Sequence, residues 1–169
     1  QERYSTRVAY LILIALVAAG FVAGFVDSIA GGGGLITIPA LLLSGMPPIV
    51  ALGTNKLQSL FGSGSATWAY ASRGHVDLKS QGPTFFISAA FSALGAWVAT
   101  QVSNDWLRAF LPILMIAIGL YFLLKPDISD ESRAARFTPA IFAATAVPAI
   151  GFYDGIFGPG TGSFFMLAF

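Results

Sequence analysis

The sequence has no cysteine and a single histidine, His75. Disulfides and thiolate metal sites are excluded, and no nucleophile–base pair or metal-ligand spacing emerges anywhere in the chain. Charge is scarce as well. Asp, Glu, Lys and Arg make up 10% of the residues, against about 25% in an ordinary soluble domain. The formal net charge is +1 and no basic run is present, so nothing points to a nucleic-acid partner.

What the chain has instead is apolar length. It is 56% hydrophobic with a mean hydropathy of +0.76. Val8 to Val26, Pro83 to Val102, Ala109 to Leu124 and Thr138 to Tyr153 carry no charge at all. A helix needs roughly 20 mostly apolar residues to cross the hydrocarbon core. A β-barrel would show short alternating segments, which these runs do not. The first run also exceeds the ~7–15 apolar residues of a cleaved signal. The sequence predicts an all-α polytopic protein whose solvent is the lipid bilayer.

One motif is written twice. Gly24-Phe25-Val26-Asp27-Ser28-Ile29-Ala30-Gly31-Gly32-Gly33-Gly34 aligns without a gap with Gly151-Phe152-Tyr153-Asp154-Gly155-Ile156-Phe157-Gly158-Pro159-Gly160-Thr161. Gly, Phe, Asp, Ile and two further glycines coincide, which marks an internal duplication. Each copy puts an acid beside a helix break, because clustered glycines lose too much backbone entropy to stay helical. The expected architecture is a duplicated helical bundle with glycine-broken or re-entrant helices. Residues 1–125 form the first transmembrane repeat, 126–137 a hydrophilic connection, and 138–169 the start of a second, truncated repeat.

The first helix is expected from Val8 to about Ile29, with a small-xxx-small face at Gly20 and Gly24. Leu35 to Leu43 is too short to span at 1.5 Å per residue. Thr37 would cap it, Pro39 would lie in its first turn, and Met46-Pro47-Pro48 would end it. A re-entrant segment there implies four crossings and parallel repeats, and a spanning one implies an odd count and inverted repeats. Further helices are expected at Ile49–Ala71, Pro83–Val102, Leu107–Leu124 and Thr138–Phe157. Lys and Arg gather in the loops 72–81 and 125–137, which places both on the cytoplasmic side of the membrane.

Asp27, Lys56 and Asp154 are the charges that fall well inside the membrane segments. Each costs ~2.5–3.5 kcal/mol at a helix centre on insertion scales, so each is expected to face the bundle interior with a partner. The bland reading has the acids cap free N–H groups and Lys56 neutralise Asp27. The functional reading makes Asp27 and Asp154 proton-coupling or gating groups. Lys56, with Asn55 and Gln58, then offers a fixed positive charge to a small anion. The amides of Gly31, Gly32, Gly33 and Gly34, and of Gly158, Gly160 and Thr161, complete that site, since a helix N-terminus presents N–H groups and a positive dipole end. Nucleotide binding is excluded, because no Gly-Lys-Ser/Thr follows the glycines and they lie in a membrane helix rather than after a strand. No cofactor or metal is expected. The small-residue faces leave a homo-oligomer open. A non-transporting assembly or sensor subunit, with glycines serving packing alone, is the competing reading.

Gly24 to Leu35, Pro39-Ala40-Leu41, Met46-Pro47-Pro48 and Leu52-Gly53-Thr54-Asn55-Lys56-Leu57-Gln58 together resemble the sulfite exporter TauE/SafE family of membrane permeases. Phe157-Gly158-Pro159-Gly160-Thr161-Gly162-Ser163 is similar to that family's second signature. The resemblance implies a multi-pass protein of the cytoplasmic (inner) membrane that moves small anions. Sulfite and organosulfonates such as sulfoacetate are the implied substrate class. It also implies that the counterpart of Thr54-Asn55-Lys56 in the second repeat lies beyond Phe169.

Overall fold

The structure, a computed structural model, describes residues 2–124 and 139–168. Among these the chain forms helices and no strand. They are α1 (Glu2–Ala30), α2 (Gly34–Leu43), α3 (Pro48–Ser72), α4 (Leu78–Gln101), α5 (Asn104–Leu124), α6 (Pro139–Ala144), α7 (Ala146–Ile156) and α8 (Thr161–Ala168). Thr6–Ile29, Gln81–Gln101 and Asn104–Leu124 are long and apolar enough to cross a membrane. The outer face of α1 exposes Leu11, Ile14, Val17, Phe21 and Phe25, as a lipid-facing surface does. The 25 residues of α3 also suffice by length, but its interior is polar. The predicted connection at 125–137 lies outside the described residues.

Both helix breaks are present. α1 stops at Ala30 because Gly31 turns to φ 66°, and α7 stops at Ile156 before Gly158 at φ 89° and Gly160 at φ 77°. These left-handed values suit glycine and cost other L-residues roughly 1–2 kcal/mol. The short helix after the first break starts at Gly34 rather than beyond Thr37, which corrects the expected cap. An acid from the preceding helix performs the capping instead: Gly33 N donates to Asp27 Oδ1 at 2.8 Å. Thr37 lies a turn inside, with its hydroxyl on Gly33 O at 3.2 Å and Gln58 Oε1 at 3.1 Å. Pro39 therefore falls beyond the first turn.

Two further boundaries differ from the sequence reading. The helix expected over Thr138–Phe157 is interrupted at Thr145, between α6 and α7. Pro148 explains it: a proline removes the bond to the carbonyl four residues back and collides with that carbonyl, here that of Ala144. The polar loop expected at 72–81 shortens to 73–77, because the Asp77 carboxylate accepts from Lys79 N at 3.0 Å and starts α4 early.

The core gathers Ile38 of α2, Leu52 of α3, and Leu107, Leu111 and Met115 of α5, with Phe157 packed against it. In lipid such contacts hold helices by van der Waals packing rather than by water exclusion. The closest crossing is α4 on α7. Ser88 meets Gly151, while Ser92 and Gly95 meet Gly155, so residue numbers rise together and the two helices run parallel. A Cβ at Gly155 would lie 2.7 Å from Gly95 Cα, so only glycine permits this approach. On α1 the expected small-residue face is half used: Gly24 abuts α3 at Gln58, whereas Gly20 has nothing within 4 Å.

Candidate functional site

The fold brings the two breaks together. A Cβ on Gly31 would sit 2.5 Å from Gly162 Cα, and one on Gly34 would sit 3.2 Å from Pro159 Cα. Glycine is needed here because backbone faces backbone. Gly33 is confined from another side, since a Cβ there would run into the Ala23 carbonyl and lie 2.7 Å from Asp27 Cγ. The two breaks enclose a cavity of about 280 Å³, whose wall includes Asp27, Asp154, Ser59, Ser63, Ser88 and Thr161. That volume is below the range of drug-sized pockets, about 300–1,000 Å³, and fits a small solute.

The two duplicated acids are held differently. Asp27 is buried, and beyond the Gly33 amide its Oδ2 accepts from Ser59 Oγ at 2.6 Å. Asp154 meets no backbone amide among the described residues. Its Oδ2 accepts from Ser92 Oγ at 2.9 Å and its Oδ1 lies 3.0 Å from Thr161 Oγ1. It also holds Lys56, whose Nζ stands 3.4 Å from Asp154 Oδ2 and donates to the Asp154 carbonyl as well. The lysine therefore closes onto the C-terminal end of α7, where the helix dipole favours a cation. Lys56 thus does not neutralise Asp27, as the bland reading had it. The Gly33 amide and Ser59 already supply donors to both oxygens of Asp27.

Asn55 is wedged where the breaks meet. Its Nδ2 lies 3.2 Å from a Cβ built on Gly34 and 3.4 Å from one built on Gly158. It is 3% exposed, and among the described residues its Oδ1 has no hydrogen-bond partner. A buried amide oxygen left without a donor costs about 1–3 kcal/mol, so the position calls for a donor beyond those of the described residues.

Of the residues singled out in the sequence, Asp27, Gly31, Gly34, Asp154, Gly158 and Thr161 line the cavity. Asn55 and Lys56 stand directly behind Gly158, the Lys56 Nζ lying 3.7 Å from a Cβ built there. Gln58 does not join them. It faces a separate groove beside Gly20, Phe21 and Gly24. Gly32 would meet only Val26, and Gly160 packs on Ile118 and Phe122, so neither touches the cavity. The sequence reading did not assign the hydroxyls to the site. Ser59 and Ser63 on α3, and Ser88 and Ser92 on α4, are each four apart and so share a helix face. That spacing was the available signal.

Among the described residues, facing glycine breaks, inward acids and the inward Lys56 in a helical bundle define an integral membrane protein with an internal polar site. Residues 16–169 match the model of the "Sulfite exporter TauE/SafE" family, and the chain belongs to that family. It is 62% identical over 161 residues to a probable membrane transporter protein, ORF9, of a Sinorhizobium species, covering 95% of this chain and 62% of that protein. It is 49% identical over 162 residues to the probable membrane transporter protein YfcA of Escherichia coli K12, covering 96% of this chain and 60% of the relative. With YunE of Bacillus subtilis, also called a probable membrane transporter protein, identity is 32% over 176 residues, covering 89% and 64%. The chain thus spans a little over three-fifths of these relatives' length. No solved structure matches it.

Proposed function

We propose that this chain is the larger part of a secondary transporter that moves a small anion across the cytoplasmic membrane. Asn55, Lys56 and the backbone at Gly34 and Gly158 bind the anion, and the duplicated acids Asp27 and Asp154 supply the coupling or gating group. The observation that carries this reading is the meeting of two duplicated helix breaks around a cavity, with Lys56 of α3 bridging to Asp154 of α7. Broken helices that face each other at the interface of repeats are the usual substrate site of transporters. The matched family's name and the transporter names of the relatives support the same reading, and the family name points to sulfite and related sulfur oxyanions.

The test is thermal stabilisation of the whole purified protein by sulfite, sulfate, thiosulfate, sulfoacetate, acetate and chloride. A ligand that binds only the folded state stabilises it by mass action. We expect one of the sulfur anions to raise the melting temperature in wild type and not in Lys56→Gln. No shift with any anion in a folded protein would leave the glycines as packing devices and favour a non-transporting subunit.

A further inference from the structure

The duplicated acids are equivalent in sequence and unequal in their partners, and the difference assigns the proton. Asp27 Oδ1 takes the Gly33 N–H, a donor that cannot reverse, so its one reversible partner is the Ser59 hydroxyl on Oδ2. Among the described residues, Asp154 is met by Lys56 and by hydroxyls, which accept as readily as they donate. Thr161 Oγ1 lies 2.6 Å from Gly158 O and 3.0 Å from Asp154 Oδ1. A threonine hydroxyl owns one proton and cannot serve both oxygens. When it points to Gly158 O, the shorter contact, the approach to Asp154 is a hydrogen bond only if Oδ1 itself carries a proton and donates. Thr161 is thus placed to satisfy Asp154 in either protonation state by turning its O–H.

Charge balance demands such a change. The cavity wall holds Asp27 and Asp154, and among the described residues the cation beside them, Lys56, is already engaged by Asp154. An anion entering that arrangement would meet two carboxylates and a lysine with no free attraction to offer. The other groups facing Asp154 are Tyr153 beside it, whose phenol donates to Pro159 O at 2.7 Å, and the neutral Ser92 of α4 and Thr161 of α8.

We infer, resting on the anion reading above, that Asp154 is the proton-coupling residue and Asp27 a structural cap. A proton from the aqueous phase binds Asp154 Oδ1, Asp154 donates to Thr161, and Lys56 is released from its carboxylate to pair with the anion. A monoanion and a proton enter together, so the loaded site carries the same charge as the empty one. Movement of a monoanion is then insensitive to membrane potential, whereas a dianion carries one net negative charge across.

The experiment uses the whole protein with methanesulfonate, a sulfonate that stays a monoanion at every working pH. In wild type, one proton is taken up per anion bound, read with an indicator dye in weak buffer. The apparent affinity falls about tenfold per pH unit wherever binding takes up one proton. In Asp154→Asn the affinity becomes independent of pH and no proton is taken up. Binding to wild type without proton uptake, or uptake that survives in Asp154→Asn and vanishes in Asp27→Asn, overturns the assignment and leaves the anion reading standing. If methanesulfonate, sulfite and sulfate all fail to bind wild type at any pH, the anion reading falls and takes this inference with it. Where Asp154→Asn does not fold, Asp27→Asn decides between the acids: one proton per anion retained supports the assignment, and its loss overturns it.

Discussion

Asp27 and Asp154 occupy the same position of one duplicated motif, yet Asp27 accepts the Gly33 amide at 2.8 Å while Asp154 faces the Lys56 ammonium at 3.4 Å. The first carboxylate is thereby part of the backbone's hydrogen-bond accounting, and the second is part of the charge accounting. Asp27→Ala leaves a buried N–H without its acceptor, which costs about 1–3 kcal/mol. We expect the melting temperature to fall clearly in Asp27→Ala and less in Asp27→Asn, whose amide oxygen still accepts from Gly33. Equal loss in the two variants would show that charge, and not capping, is what Asp27 supplies.

The glycines divide by what surrounds them. Gly31 combines φ 66° with the backbone of Gly162 at 2.5 Å from a built Cβ, whereas Gly45 has φ 89° and open space. Alanine at Gly45 therefore meets conformational strain alone, roughly 1–2 kcal/mol. Alanine at Gly31 adds a clash that must part the two breaks. The expected outcome is a folded, slightly less stable Gly45→Ala and a Gly31→Ala that loses anion binding or fails to accumulate in the membrane. Comparable melting curves for the two would contradict the close approach of the breaks.

A third prediction concerns the α4–α7 crossing. Gly155→Leu cannot be accommodated against Ser92 and Gly95, and separation of α7 from α4 removes Ser92 from Asp154. Gly53, inside α3 with nothing within 4 Å, is the control. Gly53→Ala is expected to hold or raise stability by up to about 1 kcal/mol, the helix-propensity difference between the two residues. Size-exclusion profiles and melting curves of the two variants check the contrast.

Much of this arrangement was legible in the chain. The duplicated acid and glycines announced both breaks, and Met46-Pro47-Pro48 ended α2 where expected, because these residues act on their own backbone. What the sequence did not disclose depends on distant partners. Lys56 and Asp27 look like a pair when read locally, but a lysine stem reaches whichever acid the fold brings near, and that is Asp154. Thr37 has the chemistry of a cap, yet an acid six residues before Gly33 took the role, since the chain doubles back at the glycines. The serines of α4 carry no site assignment in the sequence reading, and only the parallel contact with α7 turns Ser92 toward a carboxylate.

The Lys56–Asp154 pair carries the last prediction. Its side chains are 29% and 35% exposed, so the pair falls between the surface and buried regimes. Exposed pairs are worth ~0–1 kcal/mol, while breaking a fully buried pair by removing one partner costs about 3–5 kcal/mol. Lys56→Gln leaves Asp154 facing Asp27 across the cavity without a counter-ion, whereas Asp154→Asn leaves a lysine that can still donate to the Asp154 position's carbonyl. The first variant is therefore expected to be the less stable. Adding Asp154→Asn to Lys56→Gln removes the stranded charge and restores part of the loss. A double-mutant cycle on melting free energies should return a coupling of about 0.5–3 kcal/mol, the range for residues in one network. Strict additivity would mean that the two groups do not sense each other in the membrane, and Lys56 would then have no restraint for a proton to release.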